Sequence, residues 1–430
     1  MGVDCYCNFK SEKGDIAVPP LDKTEDPSNN NMKNNEEFNR QETYNRVISL
    51  IKNDNKPIQL NKKDNESKNN NNNNNNNDNN NNNNVNLKKN ESINENNALN
   101  SDFDKKLNSC STTITEEELN SKLNKNIKDL ELKFGQINQN KKDEYLKNKD
   151  KNIIFKSPLL FKENNIIYYG YWDSLKMKKE GWGILIDKDG NKYEGSWEND
   201  IINGYGRILS INGDYYEGEI KKGIIEGNGI FYSNNNKFIY KGEFKNNFFE
   251  GKGEQIFEHS ENKKSTYEGM FKNGKKEGKG KFTFENGNIY EGEFKNDKYN
   301  GDGSFKWNDG REYKGKWVDN QMNGKGKFIW NKNEWFEGEY KDSRREGFGV
   351  YHFGQNNYYE GKWLNNLPQG EGKIIKDGKI VEGRFRYGKI IRNIKGKNND
   401  GIIKNINIKN ENKKENIKEN KFNKKRNSYN

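Results

Sequence analysis

Histidine, cysteine and apolar residues are all scarce in this 430-residue chain. It holds two histidines and three cysteines, and only 29% of its residues are hydrophobic. Cys5, Cys7 and Cys110 are too few for a disulfide framework, and no Cys or His cluster stands at zinc-ligand spacing, so neither disulfide nor zinc is expected. His259 and His352 lie far apart with no Ser or Cys partner pattern, which argues against nucleophilic catalysis. Low apolar content beside 33% charged residues excludes a large buried core. No apolar run is long enough to span a bilayer, and the N-terminus lacks the apolar stretch of a secretory signal. A cytosolic location is therefore expected.

What is abundant is asparagine, charge and glycine. The run Asn69 to Asn84 is broken only by Asp78, leaving nothing with which to bury apolar surface, so disorder is expected there. The formal net charge is +11, and residues 389–430 carry most of the excess, with 13 basic and 4 acidic groups. Such a tail is suited to acidic lipid, nucleic acid or an acidic protein partner, since all three respond to the same Coulomb attraction, and for the chain as a whole nucleic acid is not expected.

The strongest feature is an internal repeat. Tyr193, Tyr216, Tyr240, Tyr267, Tyr290, Tyr313, Phe336 and Tyr359 recur at steps of 23, 24, 27, 23, 23, 23 and 23 residues. Each is followed two residues later by glycine, at Gly195, Gly218, Gly242, Gly269, Gly292, Gly315, Gly338 and Gly361, and four residues later by a bulky side chain such as Trp197, Phe271 or Trp317. A Gly-x-Gly pair comes next, as at Gly278 and Gly280 or Gly301 and Gly303. An earlier unit holds Tyr168, Gly170 and Trp172, and a partial later one Val381, Gly383 and Phe385.

Alternation with period two makes these strands, with Tyr290, Gly292 and Phe294 on one face and Glu291 and Glu293 on the other. Asn308-Asp309-Gly310, Glu285-Asn286-Gly287 and Ile211-Asn212-Gly213 read as tight turns. Glycine weakens a strand, so its recurrence needs a reason. Lacking Cβ, it opens a slot for an aromatic ring, and the expectation is that one repeat's rings cover the next repeat's glycines. A phosphate-cradling role is not supported, because a following Gly-Lys-Ser/Thr, the Gly-x-Gly-x-x-Gly spacing and any helix to supply a dipole are missing.

Tyr-x-Gly-x-aromatic followed by Gly-x-Gly over 23 residues resembles the MORN-repeat family, in register nine times over roughly half the chain. The resemblance implies an all-β repeat fold: an elongated single-layer antiparallel sheet of stacked hairpins. It also implies a scaffold at membrane-cytoskeleton junctions, a phosphoinositide-binding adaptor or an axonemal component. The expected organisation is an acylated N-terminus (1–14), a disordered Asn-rich region (15–112), an amphipathic helix (113–135) and a linker (136–165). The repeat sheet (166–388), with nine repeats and a partial tenth, and a basic disordered tail (389–430) complete it.

The N-terminal third is too polar, and the tail too short, for a catalytic domain, so no enzyme activity, cofactor or small-molecule substrate is expected. Protein partners and a homo-oligomer are expected instead, through the sheet edges and an aromatic face one layer deep. Lys275, Lys276, Lys279 and Lys281 are the candidate contacts for acidic phospholipid. Thr115 with Glu118 forms a capping-box pattern, and Leu119, Leu123, Ile127, Leu130 and Phe134 make the apolar stripe of a helix. That stripe either packs on the sheet's open aromatic face or takes a partner helix as a coiled coil. A weaker helix candidate spans Glu36 to Lys52.

Met1-Gly2 with Cys5 and Cys7 resembles a dual-acylation signal, myristate on Gly2 and palmitate on cysteine, with Tyr6 departing from the usual Ser or Thr. One acyl chain binds membrane only marginally, and a second makes the anchor stable. The expected location is a cytosolic membrane face or the cortical cytoskeleton.

Overall fold

The computed structural model describes residues 103–146, 152–260 and 263–397. The acylation candidates Gly2, Cys5 and Cys7, the Glu36 to Lys52 segment, the asparagine tract and residues 398–430 lie outside the described residues. Among the described residues the chain forms 22 strands, all antiparallel. They fall into two compact units, an N-terminal one ending at Tyr299 and a C-terminal one beginning at Asn300.

Two kinds of turn connect the strands. One is the Asx-rich loop expected from the sequence: at Asn308-Asp309-Gly310 the Gly310 amide donates to the Trp307 carbonyl at 3.1 Å, with Gly310 at φ 94°. The other is a two-residue hairpin with both residues left-handed, as at Asn296 (φ 52°) with Asp297 (67°) and Asp319 (48°) with Asn320 (70°). This geometry matches the twist of paired strands, and Asn and Asp tolerate it better than other side chains do.

In the hairpin of β11 (Lys263–Lys272) and β12 (Lys275–Thr283), Gly269 stands opposite Gly280. The Tyr267 ring lies across both. A Cβ at Gly269 would sit 2.6 Å from the ring, and one at Gly280 would sit 2.5 Å from it. Both glycines belong to Tyr267's own hairpin, which corrects the expectation that a ring covers the next repeat. The next repeat is met through ring edges instead. Tyr267 is nearly perpendicular to its own Phe271 at 5.1 Å and to Phe294 of the following repeat at 5.0 Å. Tyr313 with Tyr340, Phe336 with Trp363 and Tyr359 with Phe385 repeat that contact. Edge-to-face pairs contribute about 0.5–1.5 kcal/mol each beyond burial.

The two glycines of Gly-x-Gly have separate tasks. Gly278 takes φ 71° where the register slips between Gly269 and Phe271, and its missing Cβ would meet nothing nearer than 3.7 Å. Gly280 supplies the space for the ring. Most repeat tyrosine hydroxyls finish the motif by donating to the carbonyl three residues on, as from Tyr267 to Met270 at 2.9 Å and from Tyr240 to Glu243 at 2.8 Å, while that of Tyr193 donates to Asp187 Oδ2 at 3.3 Å.

A further column, nine residues after each repeat tyrosine, closes the same face: Ile202, Ile225, Phe249, Tyr299 and Met322 are all buried. Tyr240 stacks on Phe249 at 3.8 Å and Tyr290 on Tyr299 at 3.6 Å. Tyr240, Tyr267, Tyr290, Tyr313 and Tyr359 are consequently 0% exposed. The aromatic face expected to be open is filled by its own side chains.

The sheet also extends past the expected 166–388. Residues 136–165, read as a linker, hold a helix at Gln139–Leu146 and strand β2 (Ile153–Phe161), and β22 (Lys389–Lys397) follows the partial repeat. Residues 103–110, assigned to the disordered region, form helix α1, and Phe103 packs near Trp172 at 6.1 Å. Lacking the Tyr-x-Gly pattern, β2 is held by aliphatic side chains such as Leu159, which pairs with Tyr168.

Gly280→Ala should destabilise the sheet by about 1–3 kcal/mol, the usual range for overpacking. Lys279→Ala, one residue away on the other face, should change stability by less than about 0.5 kcal/mol. Urea unfolding of the two variants measures the difference, and equal midpoints would remove the ring-slot explanation.

Candidate docking face

With the tyrosine face closed, binding chemistry falls to the opposite face, whose residues alternate with the tyrosines. Helices α2 (Glu116–Lys122) and α3 (Lys125–Phe134) lie on it. The expected single helix is thus two. Asn124 starts the second by accepting the Asn126 amide at 2.9 Å, and extended Leu123 joins them. The capping box is present, with Glu118 N donating to Thr115 Oγ1 at 3.1 Å and Thr115 N donating to Glu118 Oε2 at 2.8 Å.

Leu119 packs with Ile167 and Ile186, while Ile127 and Leu130 pack with Leu209, Tyr215 and Tyr232. Phe134 stacks on Tyr215 at 4.1 Å and 7°. The stripe was expected on the tyrosine face, and it lies on the other one because the first face has no surface left. Strand register explains the choice of partner residues. Leu209 pairs with Tyr215, Tyr215 with Tyr232 and Tyr232 with Ile239, a continuous apolar row. At the corresponding later positions stand Thr283 and Lys306. Charge helps hold the helix: Glu131 pairs with Lys192 and Arg207, and Arg207 is bound to Glu194 at 2.8 Å and to the Gly135 carbonyl at 2.7 Å.

Beside α3 and the helix α4 (Gln139–Leu146) runs an open groove of about 1250 Å³. Its lining includes Tyr171, Trp182, Tyr205, Glu180, Glu217 and Glu219. Glu217 accepts from the Tyr205 hydroxyl at 2.7 Å, from the Tyr215 hydroxyl and from Asn138 N at 3.3 Å. Burial, reinforced by the Glu217 hydrogen bond, holds both phenols protonated well above their usual range.

The C-terminal unit carries a related row on its corresponding face. Ile329 pairs with Trp335, Trp335 with His352, His352 with Tyr358, Tyr358 with Ile375 and Ile375 with Ile380. Trp335 and His352 stack at 3.8 Å. Burial, then the nearby Lys327, lowers the His352 pKa. This unit has no helix among the described residues, and Ile380 is 37% exposed.

Other expected contacts are redistributed. Lys276 is 5% exposed, with its ammonium 5.5 Å from the Tyr267 ring on the closed face, so it is unavailable to a lipid headgroup. Lys279 and Lys281 stand opposite Glu293 and Glu291 in register. His259, unexpectedly, lies 2.9 Å from Ser265 Oγ, but Ser265 is 3% exposed and also accepts the Glu285 amide, a strand-end tie closed to substrate. No group of metal-ligating residues occurs among the described residues, and no described helix is long and apolar enough to cross a membrane.

Burial pushes the hydroxyls of Tyr168, Tyr216, Tyr240, Tyr267, Tyr313 and Tyr359 well above their ordinary value of 10, and that of Tyr169 to about 12. The folded chain therefore keeps protons that the unfolded chain releases, so their stabilisation is complete below pH 10 and declines as pH rises above it. Circular dichroism should show cooperative loss of β-structure above that pH, coincident with tyrosinate absorbance. Gradual tyrosinate formation within an intact sheet would contradict it.

Among curated proteins none matches the chain. The MORN repeat signature matches residues 193–215, 216–237, 240–258, 267–289, 290–310, 313–334, 336–358 and 359–378. The unit before these has the same construction, a Cβ at Gly183 falling 2.6 Å from the Tyr168 ring. Eight consecutive MORN repeats, a non-catalytic repeat type, thus run across residues 193–378 of the chain, and those of Tyr216, Tyr240, Tyr267, Tyr313, Phe336 and Tyr359 seat the ring over paired glycines.

Proposed function

We propose that the protein is a non-enzymatic scaffold that gathers partner proteins at a cytosolic membrane-cytoskeleton junction. The observation that carries this reading is the division between the two faces. One spends its aromatic surface inside the repeats, while the other accepts α2 and α3 in the N-terminal unit and leaves the row from Ile329 to Ile380 uncovered in the C-terminal unit. Partly exposed apolar rows of this kind favour association over solvation.

Self-association occurs through the Trp335, His352 and Tyr358 row. Trp335→Asp with Tyr358→Asp should leave the repeat fold intact and shift the full-length protein from dimer or larger to monomer by light scattering at micromolar concentration. A parent protein that is already monomeric, or a double variant that associates equally well, rejects this part of the reading.

Attachment to the membrane comes from the acylated N-terminus rather than from repeat lysines, since Lys276 is buried and Lys279 and Lys281 face carboxylates. Gly2→Ala should release the protein to the soluble fraction of lysed cells, and Cys5→Ser with Cys7→Ser should leave it loosely bound. Undiminished sedimentation of Gly2→Ala with membranes would transfer the attachment to another surface.

A further inference from the structure

We infer that the groove beside α3 and α4 is a binding site for an extended, lysine- or arginine-bearing segment of a partner protein. The inference rests on the scaffold reading and names the chemistry of one of its partners.

Charge complementarity comes first. The lining contains five carboxylates, Glu144, Asp173, Glu180, Glu217 and Glu219, against two ammonium groups, Lys141 and Lys176. Both lysines are engaged by carboxylates of their own segments, Lys176 with Asp173 at 3.0 Å and Lys141 with Glu144 at 3.5 Å. The other three carboxylates are held by neutral donors. Glu180 accepts Asn199 N at 3.1 Å, Glu219 accepts Asn228 N at 3.3 Å, and Glu217 takes two phenols and an amide. Neutral donors fix the positions of these groups without cancelling their charge. Low-dielectric walls then concentrate the remaining negative field on the groove.

Aromatic surface is the second, independent feature. Tyr171 and Tyr205, both partly exposed, lie along the groove beside the carboxylates, an arrangement that attracts guanidinium and ammonium groups through the ring faces as well as through charge. Trp182, at 3% exposed, is part of the groove wall and is closed to a ligand.

Shape favours a peptide over a metabolite. At about 1250 Å³ the groove exceeds the usual small-ligand range of roughly 300–1,000 Å³. Its lining includes Tyr171 on β3 (Ile166–Asp173), Glu180 on β4 (Lys178–Ile186), Tyr205 on β6 (Ile201–Leu209), Glu217 on β7 (Tyr215–Lys221) and Asn228 on β8 (Ile224–Ser233). Five inter-strand steps of about 4.8 Å span roughly 24 Å, the length of about seven extended residues. Acidic membrane lipid and nucleic acid are repelled by the same carboxylates.

Titration of full-length protein with fluorescein-labelled hepta-arginine, followed by anisotropy, tests the site. Saturable binding that weakens with salt is expected, and Glu219→Gln with Glu180→Gln should weaken it by about tenfold or more. Glu291→Gln with Glu293→Gln, a carboxylate pair on the same face outside the lined groove, should leave it unchanged. Equal losses from both pairs would show diffuse charge attraction and overturn the assignment, as would a groove pair without effect or absent binding. Thermal melting of each variant separates misfolding from lost contact, and Tyr171→Leu, which removes a partly exposed ring of the lining, decides in the same way if the carboxylate pair fails to fold. Failure here with intact self-association would leave the scaffold reading standing.

Discussion

Everything in this fold depends on a ring laid over two glycines. A tyrosine that covers facing glycines on paired strands buries its whole aromatic surface within a single layer of backbone, which ordinary sheets achieve only by stacking on a second sheet or a helix. The hydroxyl, which would otherwise be stranded, reaches a carbonyl three residues on. Phe336 shows which part is indispensable. It lacks the hydroxyl yet is 0% exposed, and a Cβ at Gly338 or Gly349 would still collide with its ring. Slot and ring are required, whereas the hydrogen bond is an addition.

Closing one face inside the repeats leaves the other face free to vary. Glu291, Lys314 and Glu337 occupy equivalent places on that face and take no part in ring stacking. Where such positions carry charge the surface is solvated, and where they carry Ile167, Ile186, Leu209 and Tyr232 a helix settles on them. The amphipathic helix and the apolar row are therefore two halves of one feature, separated in the chain by the strands they cover.

Much of this was legible in the sequence because it is local or strictly periodic. The tyrosine, glycine and aromatic columns, the Asx-Gly turns and the Thr115 with Glu118 capping box are each defined within a few residues. Three things were not. The hairpin to which a ring's glycines belong depends on register, and a 23-residue period is compatible with either neighbour. The column nine residues after the tyrosine changes chemistry from Ile202 to Phe249 to Met322, so no residue type announces it; only the fixed spacing could have revealed it. The groove joins Phe134 and Asn138 to residues up to Gly242, and its carboxylates resemble any surface glutamates until the strands align them.

That hidden column also shows how far the ring geometry tolerates substitution. Lys179, Lys276 and Arg345 occupy it where other repeats place Ile, Phe or Met, and all three are at most 5% exposed. Arg345 lies 4.2 Å from the Trp363 ring and donates to the Asn366 carbonyl at 2.8 Å, yet burial lowers its pKa to about 10. A buried cation is expensive unless its surroundings supply negative potential. Ring faces supply it for Lys276, a ring face and a turn carbonyl for Arg345, and the Asp200 carboxylate at 3.6 Å for Lys179, while the aliphatic stem fills the volume that a methionine fills elsewhere. The column therefore selects for length and for contact with a ring face rather than for apolarity, which is why its residue types look unrelated while its register is constant, Lys179 standing opposite Trp172 as Lys276 stands opposite Phe271.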